Sequence, residues 1–318
     1  MARRWKRKEV RFYSPRRHWG WIGLGIVLLT AVWGAQHSIF WGIWTHAQPP
    51  DASVSKPPPA VPSSSRSFEE PAASMVPEDL VIPILCFHDV SHSSSRWAVA
   101  PEAFENLLKT LTKEGYDFLT VSEAVAVVKG EFSGNIPDRP IALTIDDGFP
   151  SAYHTVFPLL QKYQVKATLF VYTEGIKGHP LLSWDDLKEM VKSGLVEIGS
   201  HSVSHTYPFP LLKRFGRKAF KVKMEREVFE SRKILEERIG EPVSGFAYPG
   251  GQVDKTLENL VKEAGYSWAV TINPVPFRLG MNLYRIPRFA VAKGTTLKGI
   301  NRWLTGESEP QQTAVSPP

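Results

Sequence analysis

The chain has 318 residues, of which 42% are hydrophobic and 22% are charged. This composition supports a sizeable core and excludes a wholly disordered chain. The single cysteine, Cys86, excludes an intramolecular disulfide framework and any metal centre built from several cysteines. Residues 1–18 hold eight of the 38 basic and one of the 32 acidic residues, so the other 300 residues hold 30 and 31. The net charge of +6 is therefore local, and we predict no nucleic-acid partner.

The stretch after this basic segment predicts export across a membrane. Residues 19–44 contain no Asp, Glu, Lys or Arg, and a helix of that length exceeds the ~30 Å hydrocarbon core of a bilayer. By the positive-inside rule, residues 1–18 stay in the cytoplasm and the rest of the chain is extracytoplasmic. We interpret the stretch as a single-pass anchor in the cell membrane, because aromatic residues crowd both of its ends. The alternative is a signal peptide, cleaved after Ala47 to release a secreted protein.

The rest of the chain divides into a linker, one domain of catalytic size and a tail. Residues 45–79 are rich in Pro and Ser and lack apolar periodicity, which predicts a flexible linker. Residues 306–318 are a similar polar stretch and are predicted to be disordered. Residues 80–305 remain as the catalytic domain.

Seven short apolar runs recur in this domain, and helical patterns separate them. The runs are residues 81–87, 141–145, 167–171, 196–199, 245–248, 268–272 and 288–291. Alternating strands and helices indicate a parallel sheet. We therefore predict an α/β fold, a deformed (β/α) barrel with about seven parallel strands; a doubly wound open sheet is the alternative. In either fold the ligand side is the C-terminal ends of the strands.

Polar residues follow three of these runs, and a Pro-Gly-Gly segment follows a fourth. They are His88, the pair Asp146 and Asp147, His201 with His205 four residues on, and Pro249-Gly250-Gly251. Two His and one carboxylate form a common zinc site that leaves a position open for water. Neighbouring side chains at a strand end point in different directions, so one Asp can reach a metal while the other acts as a base. Taken singly, the two Asp residues could belong to a plain turn, and the histidines could lie in the core or face solvent. Because all of these residues fall at the C-terminal ends of the strands, on one rim of the predicted barrel, a functional site is favoured.

Four segments resemble the successive motifs of the polysaccharide deacetylase family, the NodB-homology carbohydrate esterases of family 4. They are LTIDDGFPSAY, SHSVSH, GFAYPGG and AGYSWAVTINP, and the resemblance spans residues 81 to about 300. It implies a deformed (β/α) barrel, one divalent metal, usually zinc, and removal of N-acetyl groups from amino-sugar polymers.

The resemblance also assigns roles to residues. It implies that Asp146 is the general base, that Asp147, His201 and His205 bind the metal, and that the backbone around Pro249 and Gly250 shapes the acetyl pocket. The backbone N–H of Gly250 is the candidate donor to the oxyanion.

The sequence departs from the commonest family pattern at three positions. In that pattern the general acid is a His near the C-terminal end of the domain, but here no His follows His205. His88 resembles the first-strand His that serves as the acid in the branch with poly-β-1,6-N-acetylglucosamine deacetylases; a buried structural His is the alternative. Ala247 stands where many members carry an Arg that braces the base, and Arg288 is a candidate replacement. Gly250 stands where an aromatic residue is usual, which leaves the pocket wall less filled.

Other residues are candidates for secondary roles. Asp89 could stabilise the charged form of His88. Tyr207 and Trp268 are candidates for contact with sugar rings. The basic residues within 213–226 could attract anionic polymers or form a solvated helix face.

We therefore expect an exported, metal-dependent N-deacetylase that acts on an N-acetylglucosamine-containing polysaccharide: exopolysaccharide, peptidoglycan or a chitin-like polymer. The first-strand His88 favours exopolysaccharide. Two alternatives are an O-acetyl ester deacetylase of a polysaccharide such as xylan and a catalytically silent carbohydrate-binding protein.

Overall fold

The computed structural model describes residues 76–176 and 182–305. The predicted basic segment, membrane-spanning stretch, cleavage site and tail lie outside these residues, as does most of the predicted linker. The described part contains no helix that is both long enough and apolar enough to cross a bilayer.

Twelve strands and seven α-helices occur in the described residues. The strands are β1 (Val81–Ile82), β2 (Ile84–Phe87), β3 (Asp89–Val90), β4 (Ala98–Val99), β5 (Asp117–Leu119), β6 (Pro140–Ile145), β7 (Ala167–Val171), β8 (Val196–Ser200), β9 (Gly245–Ala247), β10 (Trp268–Val270), β11 (Phe277–Arg278) and β12 (Phe289–Ala290). The helices are α1 (Pro101–Lys113), α2 (Val121–Lys129), α3 (Phe157–Tyr163), α4 (Trp184–Lys192), α5 (Pro208–Ile239), α6 (Lys255–Glu263) and α7 (Leu297–Thr305).

The main sheet is parallel and follows the order β10-β9-β8-β7-β6-β2-β12, with β5 paired to the first half of β6. Its two ends meet at one segment, because Ile286 bridges Val270 of β10 while Phe289 pairs with Leu85 of β2. This strand path fits the predicted deformed barrel.

The strands differ from the predicted runs where the backbone cannot pair. The run 81–87 divides at Pro83, which has no N–H to give to a ladder. Before Pro83, β1 pairs antiparallel with β11, and after it β2 pairs parallel with β6. The three-residue β5 was not predicted, because so short a run shows no period.

Two clusters of buried hydrophobic residues pack against the main sheet. The larger cluster packs helices such as α1 against one side of the sheet, where Phe104, Leu107 and Leu111 are fully or almost fully buried. The smaller cluster lies on the other side and includes Ala142 of β6 and residues of α2. Because side chains alternate along a strand, the side of β6 that carries Ala142 also carries Thr144 and, just past the strand, Asp146.

Local signals explain where the helices begin. A capping box begins α4 at Ser183, since its hydroxyl accepts the N–H of Asp186 and the Asp186 carboxylate accepts the N–H of Ser183. The same motif begins α2 at Thr120. Such caps satisfy backbone donors that the helix itself leaves unpaired.

Candidate active site

The predicted polar residues meet at the C-terminal ends of the parallel strands. His88 follows β2, Asp146 and Asp147 follow β6, and His201 follows β8. Backbone hydrogen bonds hold these ends together: the N–H of Asp146 donates to Phe87 O at 2.8 Å, and the N–H of His201 donates to Val171 O at 2.8 Å.

Asp147, His201 and His205 form a compact triad. Asp147 Oδ1 lies 3.4 Å from His201 Nε2 and 3.2 Å from His205 Nε2, and the two Nε2 atoms are 3.2 Å apart. This oxygen is buried and makes no hydrogen bond of proper geometry. A buried carboxylate oxygen without a donor, facing two imidazole nitrogens, is the arrangement expected of three ligands to one divalent cation.

The tautomer of His201 suits such a ligand. Its Nδ1 lies 2.8 Å from the carbonyl oxygen of Ala247. A carbonyl only accepts, so Nδ1 carries the proton and Nε2 is left with a free lone pair toward the triad.

The loop after β6 and the loop that carries His205 both have an unusual backbone. Asp147, Ser202 and His205 have φ values of 76°, 75° and 55°, in a region that residues other than Gly rarely occupy. Such conformations persist only where surrounding contacts hold them.

Glu227 of α5 supplies such contacts to the loop between the two histidines. Its buried carboxylate accepts the N–H groups of Val203 and Ser204 at 3.0 and 2.7 Å and the Ser204 hydroxyl at 2.6 Å. Lys223 Nζ lies 2.6 Å from the same carboxylate. Glu227 therefore fixes the loop between the two histidines. The sequence contains no signal for this role, since Glu227 is one charge among many in a long helix.

A buried ion pair holds Asp146. Arg288 donates from its two terminal nitrogens to the two carboxylate oxygens, at 2.7 and 2.8 Å. It also donates to the Thr144 hydroxyl and the Thr271 carbonyl. The thiol of Cys86 lies 3.5 Å from Asp146 Oδ2. The structure thus brings together Arg288 and Asp146, the pair that the sequence analysis raised as a hypothesis.

The electrostatics keep both carboxylates ionised. Burial alone would raise the pKa of Asp146, but the charge and hydrogen bonds of Arg288, together with the charges of His201 and His88, outweigh burial and hold the pKa below its ordinary value. Burial opposes ionisation of Asp147 in the same way, and its contacts with His201 and His205 hold its pKa well below the usual range.

His88 lies beside Asp146 and under an aromatic ring. One ring nitrogen of His88 is within 4.8 Å of a carboxylate oxygen of Asp146. Trp97 stacks on the imidazole with ring centres 4.5 Å apart and planes 24° apart. Burial lowers the pKa of His88, and the charges of Asp146 and Asp147 offset only part of that effect.

Asp89 does not partner His88 in the way the sequence analysis suggested. Its carboxylate accepts hydroxyl hydrogen bonds from Ser91, Ser93 and Ser151, at 2.6, 3.0 and 2.7 Å. Asp89 therefore orders the loop that returns to Trp97. The carboxylates whose charges act on His88 are those of Asp146 and Asp147.

The Pro249-Gly250-Gly251 segment follows β9 as a short turn. Gly250 has φ 63°, and a Cβ at this position would lie 2.8 Å from the Tyr207 ring. Tyr207 in turn packs edge-on against His205, with ring centres 5.1 Å apart. The space beside Gly250, expected from the sequence to be less filled, is occupied by Tyr207.

Known proteins resemble the described part of the chain. Residues 133–269 match the family model described as polysaccharide deacetylase. The poly-β-1,6-N-acetyl-D-glucosamine N-deacetylase of Staphylococcus aureus is 26% identical over 226 residues, which cover 68% of this chain and 76% of that protein. The chain therefore contains a polysaccharide deacetylase domain, as the motif resemblance predicted.

Solved structures show the same fold for this deacetylase. IcaB from Ammonifex degensii is 26% identical, with a TM-score of 0.62, over 70% of this chain and 97% of that one. The Streptococcus pyogenes deacetylase PplD, solved in complex with acetate, is 24% identical, with a TM-score of 0.63, over 73% of this chain and 99% of that one. At this identity the second likeness supports the fold alone.

The prediction that Trp268 contacts a sugar is wrong. Trp268 is only 1% exposed and lies in the smaller buried cluster of the deacetylase. Its ring fills the space above Gly245, where a Cβ would lie 2.0 Å away, and its Nε1 donates to the Ser122 hydroxyl at 3.1 Å. Trp268 is the first residue of β10, and its side chain points inward, so it is part of the hydrophobic core.

Proposed function

We propose that this polysaccharide deacetylase is a metal-dependent, extracytoplasmic N-deacetylase of an N-acetylglucosamine-containing polysaccharide. The observation that carries the proposal is the Asp147-His201-His205 triad beside an Arg288-bound Asp146, with His88 close to that carboxylate.

The triad fits one divalent cation. Its three donor atoms lie within 4.8 Å of one another, and the unpartnered Asp147 oxygen gains a partner when a cation is present. One carboxylate and two imidazoles suit Zn²⁺ with an open position. A cation held there would supply Lewis-acid activation of water and of the acetyl carbonyl.

Asp146 serves as the general base. Its lowered pKa keeps it ionised at neutral pH, ready to take a proton from the attacking water. Arg288 orients the carboxylate through both oxygens, so the base is held in one direction. The N–H of Gly250, in the turn beside Tyr207, is the proposed donor to the developing oxyanion, a contribution of about 3 kcal/mol in comparable sites.

His88 serves as the general acid for the departing amine. An amine is a poor leaving group unless it is protonated, so an acid is required. Because burial lowers the pKa of His88, the imidazole is neutral before reaction and must first take up a proton. Asp146 gains a proton in the reaction and lies beside His88, so it is the proposed source.

A relative supports the proposed substrate, and the N-terminal sequence supports the proposed location. A relative at 26% identity is a poly-β-1,6-N-acetyl-D-glucosamine N-deacetylase, which supports a β-linked N-acetylglucosamine polymer. The uncharged residues 19–44 after a basic segment support an extracytoplasmic enzyme held at the cell membrane, or secreted if cleaved after Ala47.

An assay on a panel of polymers tests the proposal. The full chain is incubated with Zn²⁺ and poly-β-1,6-N-acetylglucosamine, peptidoglycan, chitin oligomers or acetylated xylan, and both free amine and acetate are measured. We expect amine and acetate in equal amounts from the amino-sugar polymers and loss of both with Asp146→Asn. Acetate released from xylan alone would contradict N-deacetylation and favour the ester alternative, and no product from any polymer would contradict the enzymatic assignment.

A further inference from the structure

The outer face of the first half of α5 is apolar and basic at once. Phe215 and Val222 are exposed to 54% and 64%, although large apolar side chains are usually covered. They line one shallow groove together with Lys218, Lys223 and Arg226. We call this groove and the cations beside it the α5 face.

The inner side of the same helix shows that this exposure is not fraying. Phe220, Met224 and Val228 are buried in the core, at a spacing that places them on one side of the helix. Gly216 breaks the helix, with φ 76° and ψ 173°, and the part after this break is therefore firmly docked, with Val222 on its outward side. Phe229 extends the exposed stripe two turns beyond Val222, at 41% exposure.

The charge of the face is strongly one-sided. Residues 213–226 hold seven basic residues against Glu225 alone. Three of the seven cations have carboxylate partners on the helix itself. Lys213, Arg217 and Lys218 are exposed and make no ion pair with any described carboxylate.

These properties select among possible partners. A second copy of the chain would bring two basic faces together, which like-charge repulsion disfavours. A soluble anionic polymer would satisfy the cations but leave Phe215 and Val222 in water. The interface of an anionic bilayer satisfies both, because apolar side chains enter the headgroup region while Lys and Arg meet lipid phosphates.

We propose that the α5 face rests on the surface of an anionic phospholipid membrane. The predicted membrane-spanning stretch 19–44 supports this partner, because it would bring the chain to a bilayer. The inference concerns placement of the domain and does not depend on the proposed activity.

A fluorescent label on the face tests the proposal. The full chain carries Val222→Cys, labelled with an environment-sensitive nitrobenzoxadiazole group, and is reconstituted into vesicles. The native Cys86 is fully buried, so the label reacts at position 222. Leu279→Cys is the matched control, because Leu279 is also an exposed apolar residue, at 47%, but follows β11, which pairs with β1, and does not line the groove.

In vesicles of phosphatidylglycerol and phosphatidylcholine, we expect a blue shift and quenching by spin-labelled lipid at position 222 and neither at position 279. Both effects should be lost in phosphatidylcholine alone. Equal quenching at the two positions, or none at 222, would overturn the proposal. So would a blue shift that grows with the number of protein molecules per vesicle without lipid quenching, which would indicate contact between copies.

A charge variant tests whether the cations of the α5 face, in particular, bind the anionic lipid. Neutralising Lys213, Arg217 and Lys218 to Gln should abolish quenching at position 222. A matched triple change of other exposed lysines, Lys109, Lys113 and Lys192 to Gln, should leave it intact. Equal effects of the two triple variants would show that total charge, and not the α5 face, brings the domain to the membrane.

Discussion

The buried pair of Arg288 and Asp146 leads to a prediction about stability. Arg288→Met keeps the length and apolar volume of the side chain and removes the guanidinium. Arg288 is fully buried and Asp146 is 1% exposed, so the carboxylate would lose two charge-assisted hydrogen bonds without access to water. Removing one partner of such a pair costs about 3–5 kcal/mol. We expect the metal-free variant to lose that much of its free energy of unfolding at neutral pH.

The dependence on pH follows from the direction of the pKa shift. In the parent, the folded pKa of Asp146 is lowered, so the pair's contribution is present above the unfolded pKa of about 3.9 and is lost as pH falls through the folded pKa. In the variant, burial raises the folded pKa without opposition from Arg288. The folded variant is then destabilised least at pH values below the unfolded pKa of Asp146, where the carboxyl group is protonated. The difference in stability between parent and variant should therefore shrink as the solution is acidified.

Urea unfolding in EDTA, followed by circular dichroism at neutral pH and near pH 4, measures both effects. Arg226→Met is the matched control, because Arg226 pairs with Glu230 on the surface, and exposed ion pairs contribute little to stability. Arg288→Met combined with Asp146→Asn should recover part of the loss, since no buried charge is then left unpaired. A loss below about 1 kcal/mol for Arg288→Met, or a loss that grows on acidification, would refute the reasoning.

Four further predictions concern the site. His201→Ala should abolish stoichiometric zinc binding, because two ligands remain; zinc retained in elemental analysis would remove His201 from the ligand set. Glu227→Ala should weaken zinc binding by about 10- to 100-fold in calorimetry, because partners beyond the ligands hold ligand geometry; unchanged affinity would show that the loop needs no such support. Asp146→Asn should keep zinc but lose about 10²- to 10⁴-fold in turnover, and near-parental activity would move the base elsewhere. His88→Ala should depress hydrolysis of an N-acetylated polymer far more than hydrolysis of an activated aryl acetate, whose leaving group needs no proton; equal losses would indicate a structural role.

Much of the fold, and the set of residues at the C-terminal ends of the strands, could be predicted from the local pattern of apolar residues in the sequence. Runs such as 141–145 and 167–171 match β6 and β7 within a residue, because buried parallel strands read as continuous apolar stretches. The residues that follow such runs necessarily stand at the C-terminal ends of the strands. His88, Asp146, Asp147 and His201 could therefore be grouped before any contact between them was known.

Pairing across long separations depended on the tertiary structure. Arg288 and Asp146 are 142 positions apart, and they meet because segment 286–290 lies between β10 and β2 and directs the Arg288 side chain toward the end of β6. Glu227 reaches the histidine loop only because α5 packs beside it. Neither contact has a local signature, since each joins groups whose partners are chosen by packing.

Side-chain direction was also decided by packing. Tyr207 and Trp268 are both aromatic residues near family-like motifs, and sequence alone could not separate them. Tyr207 stands on a rim loop beside His205, whereas Trp268 begins a strand and turns inward above Gly245. Apolar periodicity places a strand in a sheet, but which face a given side chain occupies is settled only when the sheet closes around its core, because the register decides which alternate side chains are inside.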